Sequence, residues 1–527
     1  MPVAAAAAAE QLLLGGVALL VCTRLHAAGL AAEAASLAGL AALAAALALL
    51  PSVLPPASAT SRVAAKWLRP HADSGLLFGC CALPCLWAAM ACRAADGSPG
   101  RGALLLQLRL SLGAALALLL SQSALAGRSA AALLAFTPLL ASGAGLVLPH
   151  LLHGTAFAGG CALLFEATLA LLPRCFTVGE AIFAAQGIAS VAHAALLSEQ
   201  RSASVALELS GALCTSTLAA VALLALLWPW LRPDTKTASV EPARFFAALL
   251  GVIAAIHAPW LLTILERNRP TAIGTTPEWL GALVVADDFR CVRIAVYWLV
   301  VVGLIPMIPR VQAWLSLPQI GARKLFHALA LLLFSPIVAT GDIELLALAF
   351  AVATNLFVLC EALRICKLPP LGAILDDFMQ PFLDPRDEGA AVLTHIYLLL
   401  GCAIPVWCDA VLRAAKTDTH PESSSLQLLP FCGLLSIGVL DSLAAVFGTR
   451  FGRTKWPGTR KSVEGTVCAV VGTLAIAEAT NVYVCSARVP LHALAIPIVV
   501  VGLLEACTQQ IDNVALPVVM VTLFLAQ

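Results

Sequence analysis

One pattern recurs along the whole chain: an apolar run, a short polar link, then another apolar run. Leu30–Leu50, Leu104–Leu125, Ala130–Leu148, Ile343–Leu363 and Leu393–Leu412 are examples. Runs of about 20 residues match the hydrocarbon thickness of a bilayer when coiled as helix. Inside hydrocarbon there is no water to bond the main chain, so each run must close its N–H and C=O groups on itself. By the length criterion the chain holds about fifteen such helices, roughly 13 to 17. The composition agrees, with 61% hydrophobic and 12% charged residues, where a soluble domain carries about 25% charged. The expected fold class is all-α, a polytopic integral membrane protein. A net charge of +1 offers no basic bulk for a nucleic-acid partner.

The first run, in MPVAAAAAAEQLLLGGVALLVCTRLH, lacks the basic leader of a secretory signal and reads as a retained span. Arg24 and His26 follow it and Glu10 precedes it, which places the N-terminus on the non-cytoplasmic side. The 17 cysteines are scattered through apolar runs without zinc-ligand spacing, as expected of buried thiols acting as small hydrophobes. The chain changes character near Pro318. Residues 1–317 form spans rich in alanine and leucine with plain loops. In 318–527, polar residues gather at the ends of the apolar runs.

Four such gatherings stand out. In GARKLFH, Arg323 and Lys324 share a helix face with His327; a positive helix start at the membrane interface accounts for that equally well. In FLDPRDEGAAVLTHIYLLLG, the charged residues Asp384, Arg386, Asp387 and Glu388 sit in a turn, and His395 is expected about two turns into the following span. An ionisable residue inside the membrane is a functional candidate because its burial is costly, although a histidine bonded to a neighbouring helix would satisfy the same cost. In LLEACTQQIDNVALP, Glu505 and Asp512 are seven apart, so a continuous helix would stack them on one face, with Gln509 and Asn513 nearby.

The most informative stretch is DSLAAVFGTRFGRTKWPGTRKSVEGT, Asp441 to Thr466. It places five basic residues, four glycines and two carboxylates between two apolar runs. A positive-inside loop explains Arg450, Arg453, Lys455, Arg460 and Lys461. It does not explain Asp441, which lies just inside a span, where an unpaired carboxylate costs about 3 kcal/mol. Nor does it explain the glycines or the KSVEGT ending. A glycine-rich basic loop suits a polyphosphate, because main-chain N–H groups can approach the oxygens and lysine neutralises them. The loop is not a Walker A motif, since Thr459 and Arg460 separate Gly458 from Lys461.

In order, GARKLFH, FLDPRDEG, LTHIYLLLG, GVLDSLAAVFG, KWPGTRKSVEGT and TQQIDN with its following proline closely resemble the dolichol kinase family. The resemblance runs from about Pro318 onward; before it the chain matches only in hydrophobic character and approximate length. More distantly, the pattern is similar to CTP-dependent diacylglycerol kinases, phytol kinases and phosphatidate cytidylyltransferases. The resemblance implies transfer of the γ-phosphoryl group of CTP to the terminal hydroxyl of dolichol, releasing CDP. The product, dolichyl phosphate, is the lipid carrier for protein glycosylation and glycosylphosphatidylinositol anchors. It also implies a multi-pass protein of the endoplasmic reticulum membrane, a nucleotide loop on the cytoplasmic side, and a divalent cation, Mg²⁺ being expected.

On that resemblance the CTP-binding stretch comprises Gly448, Thr449, Arg450, Gly452, Arg453, Lys455, Trp456, Pro457, Gly458, Thr459, Arg460, Lys461, Ser462, Glu464, Gly465 and Thr466. Arg460 and Lys461 are expected against phosphate oxygens, and Trp456 either stacks on cytosine or anchors the loop at the interface. Asp441, Glu464, Glu505 and Asp512 are the candidate metal ligands. Asp441, and after it His395, are the candidate bases for the lipid hydroxyl. Competing readings are a CTP-dependent kinase of another lipid, a cytidylyltransferase, and a lipid transporter without chemistry, which would need no such loop.

Overall fold

The computed structural model describes residues 2–49, 67–69, 74–94, 96–122, 148–197, 205–227, 242–270, 275–383, 389–415, 427–485 and 488–527. Among them the chain is helical, without strands. In chain order the helices are α1 (Pro2–Ala27), α2 (Ala31–Leu49), α3 (Leu76–Arg93), α4 (Pro99–Gln122), α5 (Leu148–Leu171), α6 (Val178–Leu197) and α7 (Val205–Leu226). There follow α8 (Pro242–Asn268), α9 (Thr276–Val302), α10 (Ile308–Trp314), α11 (Gln319–Ala339), α12 (Ile343–Ile365) and α13 (Leu371–Met379). The last five are α14 (Thr394–Ala415), α15 (Leu434–Phe451), α16 (Val463–Tyr483), α17 (Leu491–Cys507) and α18 (Asp512–Leu525).

Twelve helices among the described residues are long and apolar enough to cross a membrane, and three shorter apolar ones, Val205–Val221, Leu491–Cys507 and Asp512–Leu525, accompany them. The all-α polytopic fold is therefore as expected. Among the described residues the last two apolar runs make helices of only 17 and 14 residues, which keeps them out of that twelve. The run at Ala130–Leu148 lies almost wholly outside the described residues.

The chain forms two compact units that do not follow sequence order. One is built from Met1–His193 with Pro385–Gln527, the other from Ala194–Asp384. The change in composition near Pro318 falls inside the second unit. In the first unit the N-terminal helices pack directly on the C-terminal ones: α18 lies against α3 and α14, α17 against α1, and α16 against both α15 and α17. One of its closest crossings is at Gly401. A side chain there would collide with the main-chain carbonyl of Asn513, and one at Gly433 would collide with the carbonyl of Gly401. The glycine of LTHIYLLLG thus lets three main-chain segments meet.

In the second unit α7 packs on α8 and α12, and Phe245 and Ala248 of α8 share a core with Leu363, Cys366 and Leu368. Arg364 pairs with Glu361 of its own helix α12 at 2.6 Å and ties that helix to α13 through Asp376 at 3.0 Å.

Candidate functional site

The site lies where α15 and α16 meet. The first half of α15, Leu434–Asp441, is π-helical and wholly buried, and Ser442–Phe451 continues as α-helix. An inserted residue of this kind turns the following side chains relative to a regular helix and is common at functional sites. Asp441 closes the π-helical stretch, 4% exposed. It therefore sits midway along the helix rather than just inside it.

Beyond α15 the loop folds on itself. Trp456 N donates to Lys461 O at 3.0 Å and Val463 N to Thr454 O at 2.9 Å, flanking an antiparallel bridge between Lys455 and Ser462. At the tip, Thr459 N donates to Trp456 O at 3.2 Å and Gly458 has φ +80°. Pro457 then Gly458 is the residue order that a type II turn requires. Ser462 caps α16, its Oγ accepting from Gly465 N at 3.2 Å. The Trp456 indole N–H donates to Thr466 Oγ1 at 3.0 Å. Glu464 turns back on the loop, its carboxylate accepting from Arg453 N at 3.1 Å and Thr454 N at 2.9 Å. Arg450, Arg453, Lys455 and Arg460 remain exposed, a cationic rim that raises the local concentration of anions. Thr449 bonds back to Ala445 O at 2.8 Å within its own helix.

The glycines bring protein to protein. A side chain at Gly452 would strike Gly448 O and Ser462, and one at Gly465 would come within 2.8 Å of Ala444 O and of Gly448 Cα. The start of α16 seats against Gly448 and Gly452.

Lys461 turns away from the exposed rim. Its Nζ lies 2.6 Å from Glu505 Oε1 and also donates to the Glu505 main-chain carbonyl. Glu505 is buried, while the Lys461 side chain keeps 34% of its exposure. Burial by itself would lower the Lys461 pKa; Glu505, Asp512 and Asp441 outweigh it and hold the ammonium above the ordinary lysine value. Three expected site residues, Asp441, Glu505 and Asp512, thus act on a fourth, the Lys461 cation.

They do not meet as expected from spacing. Helix α17 ends at Cys507 and α18 begins at Asp512, so no continuous helix stacks Glu505 on Asp512. The turn Thr508–Ile511 brings both to Lys461 instead. Asn513 is buried, and its N–H donates to Asp512 Oδ1 at 3.1 Å. His395 is the second residue of α14, not two turns inside it. Arg323, Lys324 and His327 lie on α11 in the other unit, with His327 buried. Asp384, Arg386, Asp387 and Glu388 lie outside the described residues. Glu10, Thr177 and Glu180, which bind the Thr508–Ile511 turn, and Arg69, which grips Glu180, were not apparent as site residues. The one local signal is Thr-Val-Gly-Glu at 177–180, the spacing of a capping box.

Fold and site together define a multi-pass membrane protein with a lysine–carboxylate centre beneath a basic surface loop. The chain is 30% identical to the human dolichol kinase over 377 residues, 68% of this chain and 66% of that protein. It is 28% identical to dolichol kinase EVAN of Arabidopsis thaliana over 299 residues, 54% of this chain and 48% of that protein. With dolichol kinase sec59 of Schizosaccharomyces pombe it shares 32% over 205 residues, 39% of each. The chain belongs to the dolichol kinase family. The human match, at 68% of the chain, reaches well before Pro318, where the motifs themselves gave no resemblance. No family model and no solved structure matches the chain.

Proposed function

We propose that this chain is a CTP-dependent dolichol kinase whose phosphoryl-transfer site is the Lys461 centre. The observation that carries this is the Lys461 ammonium, held 2.6 Å from Glu505 with Asp441 and Asp512 acting on it, at the base of the basic loop. Phosphoryl transfer needs positioning and neutralisation of charge more than covalent chemistry. An ammonium has three donors. Lys461 commits two of them to the carboxylate and carbonyl of Glu505. The third is left for a phosphate oxygen.

The exposed arginines, Arg450, Arg453 and Arg460, draw the anionic nucleotide to the loop. Asp441 is placed to accept the proton of the lipid hydroxyl, with His395 as the second candidate. The acceptor is a long, neutral polyprenol, so it reaches the site from within the bilayer, surrounded by membrane lipid. Among the described residues no three Asp, Glu, His or Cys side chains stand together as a ready metal cage. Mg²⁺ binds through one or two carboxylates together with the substrate phosphates, so it does not require a complete protein cage. Asp512, with Glu505, would hold it, leaving Asp441 for the lipid hydroxyl; Glu464 is engaged by the loop's N–H groups. Bound there, the ion supplies neutralisation of phosphate charge. The proposed location is the endoplasmic reticulum membrane, with the loop facing the cytoplasm.

Purified protein in detergent, supplied with dolichol, Mg²⁺ and CTP labelled at the γ-phosphate, tests the reading. Label in the lipid fraction with release of CDP is the expected result. Pyrophosphate release with unlabelled lipid would indicate a cytidylyltransferase. No turnover with any lipid alcohol would favour a transporter.

A further inference from the structure

The N-terminal helices reach the site through a single turn. Thr508–Ile511 joins α17 to α18 and carries Glu505 and Asp512 on either side. Three consecutive N–H groups in it, at 509, 510 and 511, find side-chain acceptors rather than helical carbonyls. Gln510 N finds Thr508 Oγ1 at 3.2 Å. The other two are met from far away in sequence: Gln509 N donates to Glu10 Oε2 at 3.2 Å, and Ile511 N to Glu180 Oε1 at 2.9 Å. The Gln510 side chain accepts from Thr177 Oγ1 at 2.8 Å.

Glu180 is itself fixed from several directions. It closes a capping box at the start of α6, accepting from Thr177 N at 2.9 Å while its own N–H donates to Thr177 Oγ1 at 3.1 Å. Arg69 grips both carboxylate oxygens, at 3.1 and 2.5 Å, and donates to Cys175 O at 2.9 Å. Both side chains are buried, 5% and 6% exposed. A buried pair of this kind adds little net stability, because desolvation offsets the attraction. Its geometry is nonetheless rigid, and it ends on the amide next to Asp512.

We propose that Arg69, Glu180 and Glu10 are positioning residues that set the Thr508–Ile511 turn so that Glu505 and Asp512 both face Lys461. This rests on the proposed reading of the Lys461 centre. The N-terminal helices then build the site from behind, touching neither nucleotide nor lipid hydroxyl.

Glu180→Gln in the full-length protein is the test. It keeps an acceptor oxygen but removes the charge that Arg69 grips. Three quantities are compared with the unsubstituted protein: recovered folded protein, hydrogen exchange of the amides at 508–513, and the separate KM values for CTP and dolichol. The expected result is faster exchange in the turn and a KM for CTP raised about tenfold, with that for dolichol unchanged. Arg69→Lys should move the same quantities in the same direction by less. A staple that merely holds the fold would lower recovery and leave both KM values alone; that outcome overturns the proposal, as does unchanged exchange. If Glu180→Gln does not accumulate, Glu10→Leu removes the Gln509 contact while leaving the Arg69–Glu180 pair in place, and its KM for CTP decides by rising or staying put. If the unsubstituted protein phosphorylates no dolichol, the functional reading fails by itself. Exchange in the turn and equilibrium binding of labelled CTP then decide the positioning role.

Discussion

Lys461 Nζ and Glu505 Oε1 are 2.6 Å apart, so a residue of the surface loop is bonded to a buried carboxylate 44 positions further along the chain. The pair fixes where the loop's one inward cation stands, and Asp441 and Asp512 add to the same field. Glu505→Gln keeps an acceptor for the ammonium while removing its charge. Turnover at saturating CTP should fall about 10- to 100-fold with the protein still folded. An unchanged rate would mean that Glu505 serves only to pack the helices.

The pH dependence follows from the sign of the shift. The folded protein holds Lys461 above its ordinary pKa of 10.5. The contribution of its charge is therefore complete below that value and is lost only as pH rises through the higher folded value. Between about pH 6 and 9, Lys461 should add no limb to the pH–rate profile. Any alkaline limb in that range that Lys461→Arg moves upward would contradict the assignment.

Gly452→Ala places a methyl group against Gly448 O and the Ser462 side chain. Because main chain cannot swing aside, the substitution should cost about 1 to 3 kcal/mol. Thermal unfolding in detergent reads the loss. A neutral result would mean that α15 and α16 separate here readily.

Trp456→Phe removes the donor to Thr466 Oγ1 but keeps an aromatic face. Stability should fall by about 1 kcal/mol. Affinity for CTP, measured by equilibrium binding, should change less than about threefold if the indole N–H anchors the loop. A much larger loss of CTP binding with unchanged stability would favour stacking on cytosine, the other role open to this residue.

The helical membrane fold was legible in the sequence because hydrocarbon leaves the main chain one local solution, and run length reports it. The loop stood out in the sequence too, since Asp441 and the KSVEGT ending have no role in an ordinary positive link. The convergence of Asp441, Glu505 and Asp512 on Lys461 was not. It depends on a π-helical stretch before Asp441 and on a turn that breaks the helix between Glu505 and Asp512, and apolar periodicity registers neither. The roles of Glu10, Arg69 and Glu180 were hidden for another reason. The bonds of Glu10 and Glu180 to residues 509 and 511 span more than 300 positions, Arg69 acts only through Glu180, and nothing local to an alanine-rich helix announces so distant an acceptor.

The central claim is that phosphoryl transfer occurs at Lys461, and transfer of γ-label from CTP to dolichol by the unsubstituted protein and by Lys461→Ala, purified side by side, tests it most directly. The expected result is labelled dolichyl phosphate with CDP from the first, and none from the second at equal folded protein. Full transfer by Lys461→Ala would contradict the account and move the chemistry away from this centre.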